Sequence, residues 1–160
     1  MKSGDSYAQA LLGIYLRSGE FGLKVDMELA RKWTLHAINS DEPLAYYNLA
    51  NISMAAGNYE KATQHYKKAQ PGLLELSSKG DAIAKYALGE VLFQVIPTDV
   101  PRALELFKES AGLGFAQAQA TLGALYLRGL PGILDKDEKL AISLLSESVK
   151  MKSLTGRFNL

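Results

Sequence analysis

Apolar positions along the chain recur at intervals of three and four residues, and no run alternates with the period of a strand, so helices are predicted throughout. Polar or glycine-bearing breaks divide the pattern into helices over 5–18, 26–39, 43–56, 58–70, 81–94, 99–112, 115–128 and 136–151. A sub-pattern then repeats four times. An Asp or Asn stands four residues before an Ala in Asp26/Ala30, Asn58/Ala62, Asp99/Ala103 and Asp137/Ala141. Bulky side chains follow each Ala (Trp33, His65–Tyr66, Leu106–Phe107, Leu144–Leu145), and a small residue lies seven beyond it (Ala37, Ala69, Ser110, Ser148). Ahead of each Ala is a Leu anchor, at Leu11, Leu49, Leu88 and Leu122, with intervals of 38, 39 and 34 residues. A period of that size predicts stacked helix pairs, none of which buries its apolar face alone.

Punctuation fits the pairing. Asp41 before Pro43 and Asp99 before Pro101 read as a capping residue followed by Pro in the first turn. Gly19, Gly57, Gly114 and Gly129 fall where helices end. The Ala anchors are small so that paired helices approach closely, with Trp33, Tyr66 and Phe107 filling the space beside them. One junction is longer by seven residues, Gln70 to Leu76, and holds Pro71-Gly72. It predicts an extended second helix kinked or broken at Pro71, or an extra short helix.

The whole chain, 1–160, therefore reads as a single repeat domain with units at about 5–40, 41–80, 81–114 and 115–153. Phe158-Asn159-Leu160 matches Tyr47-Asn48-Leu49 in kind, so 154–160 is expected to be a capping helix or a truncated fifth first-helix.

Composition narrows the function classes. Eighteen basic and 17 acidic residues leave a net charge of +1, with no basic stripe for nucleic acid. Without cysteine there is no disulfide scaffold, zinc–thiolate site or cysteine nucleophile. The N-terminus lacks a signal-peptide pattern and no apolar run reaches membrane-spanning length, which gives a cytoplasmic expectation. The two histidines fall in different repeats: His65 is expected to pack between helices and His36 to face water. No serine sits in a nucleophile elbow, and Gly112-Leu113-Gly114 is a helix end rather than a phosphate loop. No catalytic residue, metal ligand or cofactor is expected, and the chain reads as a non-enzyme.

Tyr46-Tyr47-Asn48-Leu49-Ala50, with Gly57, Ala62, Tyr66 and Ala69 after it, resembles a tetratricopeptide repeat. Tyr15-Leu16-Arg17-Ser18-Gly19 with Asp26, Ala30, Trp33 and Ala37 is similar to the longer-turned Sel-one-like repeat. So are Leu122-Gly123-Ala124-Leu125-Tyr126 with Gly129, Gly132, Asp137 and Ala141, and Leu88-Gly89 with Asp99, Ala103 and Phe107. The departures are Leu12-Gly13, one residue late relative to Tyr15, Leu144 and Leu145 where an aromatic is common, and Ser148 where Ala is usual.

The resemblance implies an all-α, right-handed α-solenoid of four antiparallel helix pairs plus a partial fifth. It implies a non-catalytic scaffold or adaptor that binds a partner protein or peptide on a concave face lined by first helices. Carried over by position, that face holds Leu16, Arg17, Tyr47, Asn51, Met54, Tyr86, Glu90, Phe93, Leu127 and Arg128. The alternative for the apolar members is packing against the neighbouring helix. A carboxylate clamp is not supported, because its positions hold Gln9, Gly13, Tyr86 and Glu90. A role as spacer in a larger repeat protein is the other reading. A β-lactam-binding or hydrolysing relative is disfavoured because that branch of the family is cysteine-rich. Self-association is a further possibility for an uncovered terminal helix pair.

Overall fold

The computed structural model describes residues 3–95 and 99–157. Its helices are α1 (Ser3–Ser18), α2 (Met27–Ile38), α3 (Pro43–Ala55), α4 (Tyr59–Ser78), α5 (Ala82–Gln94), α6 (Val100–Gly112), α7 (Ala116–Arg128) and α8 (Glu138–Arg157), with a short 3-10 turn at Glu20–Gly22. Among the described residues the β-type pairing is a single bridge, Leu130 with Leu134, so the fold is all-α. Each expected helix is present. Residues 154–157 continue α8, and Phe158-Asn159-Leu160 lies outside the described residues.

Capping follows the repeated Asp or Asn at three of its four positions. Asp26, Asn58 and Asp137 accept from the backbone N–H three residues on, at 2.9, 3.2 and 2.9 Å. Asp99 makes no side-chain cap, and Asp41 does not cap α3. Glu42 takes that place and accepts from the Leu44 N–H. Asp41 instead adopts a left-handed backbone and accepts a 2.8 Å hydrogen bond from the Tyr46 hydroxyl.

The long junction extends α4 to 20 residues, straight through Pro71, with no extra helix. Pro71 has no N–H to donate to the carbonyl of Lys67 four residues earlier, and both residues are exposed. The extension carries Leu73 and Ser77 into the interior at helical spacing from Tyr66 and Ala69.

Packing divides the chain into two compact units, Met1–Glu75 and Leu76–Leu160. In the first, α1 packs on α2 and α3 packs on both. Tyr66 of α4 meets Tyr47 of α3, and Gly72 lies against the Pro43 ring, where a side chain would overlap it. In the second, α5 packs on α6, α6 on α7 and α7 on α8.

One contact recurs. A methyl group at Gly13 would lie 2.5 Å from Thr34 Oγ1 and 3.1 Å from the Ala30 carbonyl oxygen. At Gly89 it would lie 2.7 Å from the Phe107 ring and 3.3 Å from the Ala103 carbonyl oxygen. At Gly123 it would lie 2.7 Å from Leu145 Cγ and 3.2 Å from the Ala141 carbonyl oxygen. The first helix thus presses its backbone onto the carbonyl of the Ala anchor and onto the side chain one turn later. Gly13, Gly89 and Gly123 are equivalent, with fully buried Ala50 in the same place in the second pair.

This contact corrects the register of the first repeat. The anchor before the small residue is Leu12, not Leu11, and every position carried over from it moves by one. Arg17, not Leu16, shares the column of Met54, Phe93 and Leu127, and Ser18 replaces Arg17 beside Arg128. The turns agree, since the Asp26 N–H donates to the Leu16 carbonyl and the Asp137 N–H to the Tyr126 carbonyl, both four residues past the corrected anchors. Leu11 misled because three apolar residues, Ala10, Leu11 and Leu12, run together there.

The small residue seven beyond each Ala also does more than save space. Ser110 and Ser148 donate to the carbonyls of Ala82 and Ala116, the first residues of α5 and α7, at 2.7 and 2.8 Å. Ala37 and Ala69 fill the matching positions of the first unit, fully buried.

The close approach predicts opposite signs for two Gly→Ala changes in the second unit. Gly89→Ala pushes into a buried Phe107 ring held by Tyr86 and Phe93, and should cost about 1–3 kcal/mol despite the better helix propensity. Gly112→Ala, at an open helical position, should gain about 0.4–1 kcal/mol. Thermal unfolding of the two variants checks this, and equal shifts would contradict the packing account.

Candidate functional site

The residues expected to face a partner fall into three environments. Leu16, Tyr47 and Tyr86 are buried; Arg17, Asn51, Met54, Glu90 and Phe93 are half-buried; Leu127 and Arg128 are exposed, Leu127 by 45 %.

In the first unit, Tyr47 sets its ring centroid 6.3 Å from that of Tyr66. The Tyr66 hydroxyl donates to Asn51 Oδ1 at 3.0 Å, and Asn51 Nδ2 donates to the Tyr47 carbonyl. Tyr47 and Asn51 thereby join α3 to α4. Met54 lies one turn further on, partly open to solvent.

Arg17 owes its position to a polar chain that the sequence reading missed. Its Nε donates to Asn48 Oδ1 at 2.6 Å, Asn48 Nδ2 donates to Thr34 Oγ1 at 2.7 Å, and Thr34 Oγ1 donates to the Ala30 carbonyl at 2.7 Å. Asn48 and Thr34 are fully buried, so α1, α2 and α3 meet around a satisfied network. Gly13 leaves the room for it, lying against both side chains. The available signal was Asn48 inside an otherwise apolar stretch, Leu44 to Leu49, where a polar side chain needs a buried partner.

In the second unit, Tyr86 packs its ring against Phe107 and Phe115, with centroids 5.5 and 5.3 Å away. Its hydroxyl donates to Glu90 Oε1 at 2.8 Å and lies 3.2 Å from Thr121 Oγ1. Phe93 stacks on Phe107 while keeping part of its ring exposed. Leu127 and Arg128 stand at the end of α7. The buried tyrosines therefore organise the first helices, and the solvent-facing part of the predicted set is narrower than the list.

Electrostatics are local. Lys85 and Arg102 converge on Glu109, and the Lys85 hydrogen bond holds the Glu109 carboxyl below the ordinary carboxylate range. Lys68 lies over the Tyr46 ring, 4.4 Å from its centroid, and its hydrogen bond to Tyr46 raises its proton affinity. His65 is half-buried at a helix interface, whereas His36 is exposed. Partial burial, then Lys61 and Lys68, lower the His65 pKa. Among the described residues no three His, Asp or Glu side chains are grouped as metal ligands, and no helix is long and apolar enough to cross a membrane.

Comparison with known proteins adds the family. The Sel1 repeat model matches residues 6–41, 43–69, 82–115 and 116–153. Each segment begins six residues before Leu12, Leu49, Leu88 or Leu122, the register set by the glycine contacts. Among solved structures, the chain is similar to a protective antigen present in uropathogenic Escherichia coli strains displaying an SLR fold. The identity is 23 % and the TM-score 0.54, over 98 % of this chain and 33 % of that one. It is also similar to a Sel1 repeat protein from Oxalobacter formigenes, at 26 % identity and TM-score 0.46, over 91 % of this chain and 58 % of that one. The chain thus spans about a third of the first protein and little more than half of the second. No curated protein matches it.

The network around Arg17 predicts a position-specific cost. Thr34→Val keeps the shape but strips the buried Asn48 amide of its acceptor, and should destabilise by about 1–3 kcal/mol. Thr63→Val, at a half-buried position whose hydroxyl donates to the Tyr59 carbonyl of its own helix, should stay within about 0.5 kcal/mol of wild type. Urea unfolding of both variants measures the difference, and equal costs would remove the network from the account.

Proposed function

Because the chain belongs to the Sel1 repeat family, we propose that it is a non-catalytic adaptor whose first helices dock a partner protein or peptide. Repeats of this family generally mediate protein–protein interaction. The observation that carries the finer reading is the column five residues past each corrected anchor: Arg17, Met54, Phe93 and Leu127. Each is half-buried or exposed, although the neighbouring Leu16 and Leu92 are buried. A position that stays partly open in every repeat, and holds Met, Phe, Leu or Arg, supplies what interface cores favour: adaptable apolar area and a planar cation. Asn51 and Glu90, three residues earlier, place a polar group beside Met54 and Phe93.

Tyr47 in the first unit and Tyr86 in the second are buried within their own helix pairs. A change at either disturbs the fold first, so the test belongs on the outer column. In affinity capture from native lysate, followed by titration of the purified partner, Met54→Glu and Leu127→Glu should each weaken binding about tenfold or more while leaving helical content and unfolding temperature near wild type. Binding unchanged in both variants would remove the column as the docking site, and absence of any stoichiometric partner would favour a spacing role.

A further inference from the structure

A second surface in the first unit lies apart from that column. The α2, α3 and α4 helices border an open cleft of about 380 Å³. Its apolar lining includes Leu35 of α2 and Leu49 and Ile52 of α3, and its basic lining is Arg31 of α2 with Lys61 and His65 of α4. No Asp or Glu borders it.

Lys85 and Arg102 meet Glu109 and Lys150 meets Glu147, whereas Lys32, Lys108 and Lys139 are exposed without an ion pair among the described residues. Among the described residues neither Arg31 nor Lys61 forms an ion pair. Leu35, an apolar side chain 44 % exposed, sits one turn from Arg31 on the same helix. Burial first, then Lys61 and Lys68, lower the proton affinity of half-buried His65.

From this charge complementarity we propose that the cleft binds an acidic peptide segment of a partner protein, seating an aliphatic side chain against Leu35, Leu49 and Ile52 and carboxylates on Arg31 and Lys61. A simple inorganic anion would leave the aliphatic lining unused. Single-stranded nucleic acid calls for aromatic stacking platforms beside its cations, and no aromatic residue other than His65 lines the cleft. A short peptide alternating acidic and Leu side chains uses both halves of the lining. The surface is separate from the first-helix column, so either stands if the other fails.

The test is an amide NMR titration of the whole chain with an acetylated, amidated decapeptide built from Asp, Glu and Leu. The comparison probes are its Asn/Gln isostere, inorganic phosphate and a ten-nucleotide single-stranded DNA. The acidic peptide should shift the amides of Arg31, Leu35, Ile52, Lys61 and His65, with weaker binding as salt rises. Arg31→Glu/Lys61→Glu, both at exposed positions, should lower its affinity at least tenfold. The charge-matched Lys108→Glu/Lys139→Glu variant, also at exposed positions, should bind as wild type does. Any of four results would overturn the proposal: no shift at millimolar acidic peptide; equal binding of the isostere; the same residues responding equally to phosphate or DNA; or equal loss in the charge-matched variant.

Discussion

The approach of a first helix to the Ala carbonyl of its partner is the contact on which the rest depends. It requires a residue without a protruding side chain on one helix and Ala on the other, and Gly13/Ala30, Gly89/Ala103 and Gly123/Ala141 all meet that requirement. Interiors are packed at crystal-like density, so an approach this close fixes the rotation of each helix about its axis and its slide along the other. Once rotation is fixed, Leu16 and Leu92 are buried, while Arg17 and Phe93 pack inward in part and keep part of their surface exposed. The constraint therefore acts on function only indirectly, by deciding which side chains are available to a partner.

Polar groups reinforce the same geometry. Thr34 and Asn48 occupy the volume freed by Gly13, and their hydrogen bonds tie three helices at the point where the backbones are nearest. Ser110 and Ser148 hold their helices to the starts of α5 and α7. Each hydrogen bond adds little net free energy, but a helix that slid out of register would leave buried donors without acceptors, a penalty larger than the gain from any one bond. The contacts are thus more selective than they are strong.

Most of the fold was legible because its signals are local and repeated. Helix periodicity, the Asp or Asn caps and the glycine stops located the eight α-helices of the described residues, and the 34- to 39-residue spacing located the pairs. What escaped was set by contacts distant in sequence. Leu11 and Leu12 are indistinguishable as apolar residues, and only the seat of Gly13 against Ala30 and Thr34 separates them. Asp41 before Pro43 has the look of a cap, yet Glu42 is one residue nearer the helix and Asp41 is drawn to Tyr46. The extended second helix was one of the readings of the long junction, but whether it would continue past Pro71 was decided by the burial of Leu73 and Ser77. For Tyr47 and Tyr86, packing against the neighbouring helix was one of the two readings left open, and no local signal chose it.

What the packing rule leaves unspecified is free to vary. The inner turns show this first: one loop passes through a short 3-10 helix at Glu20–Gly22 and the other through the Leu130–Leu134 bridge, yet both return their Asp to the equivalent carbonyl, Leu16 or Tyr126. Loop length varies without moving the helices. The outer column shows it again, since Arg17, Met54, Phe93 and Leu127 differ in chemistry at one geometric position. The Arg31–Lys61 cleft shows it a third time, because nothing in the core needs those charges and each leaves a solvation shell to be partly surrendered if a ligand binds. Charges on an exposed rim beside an aliphatic surface are under no core constraint, so solubility or a ligand of opposite charge is free to set them.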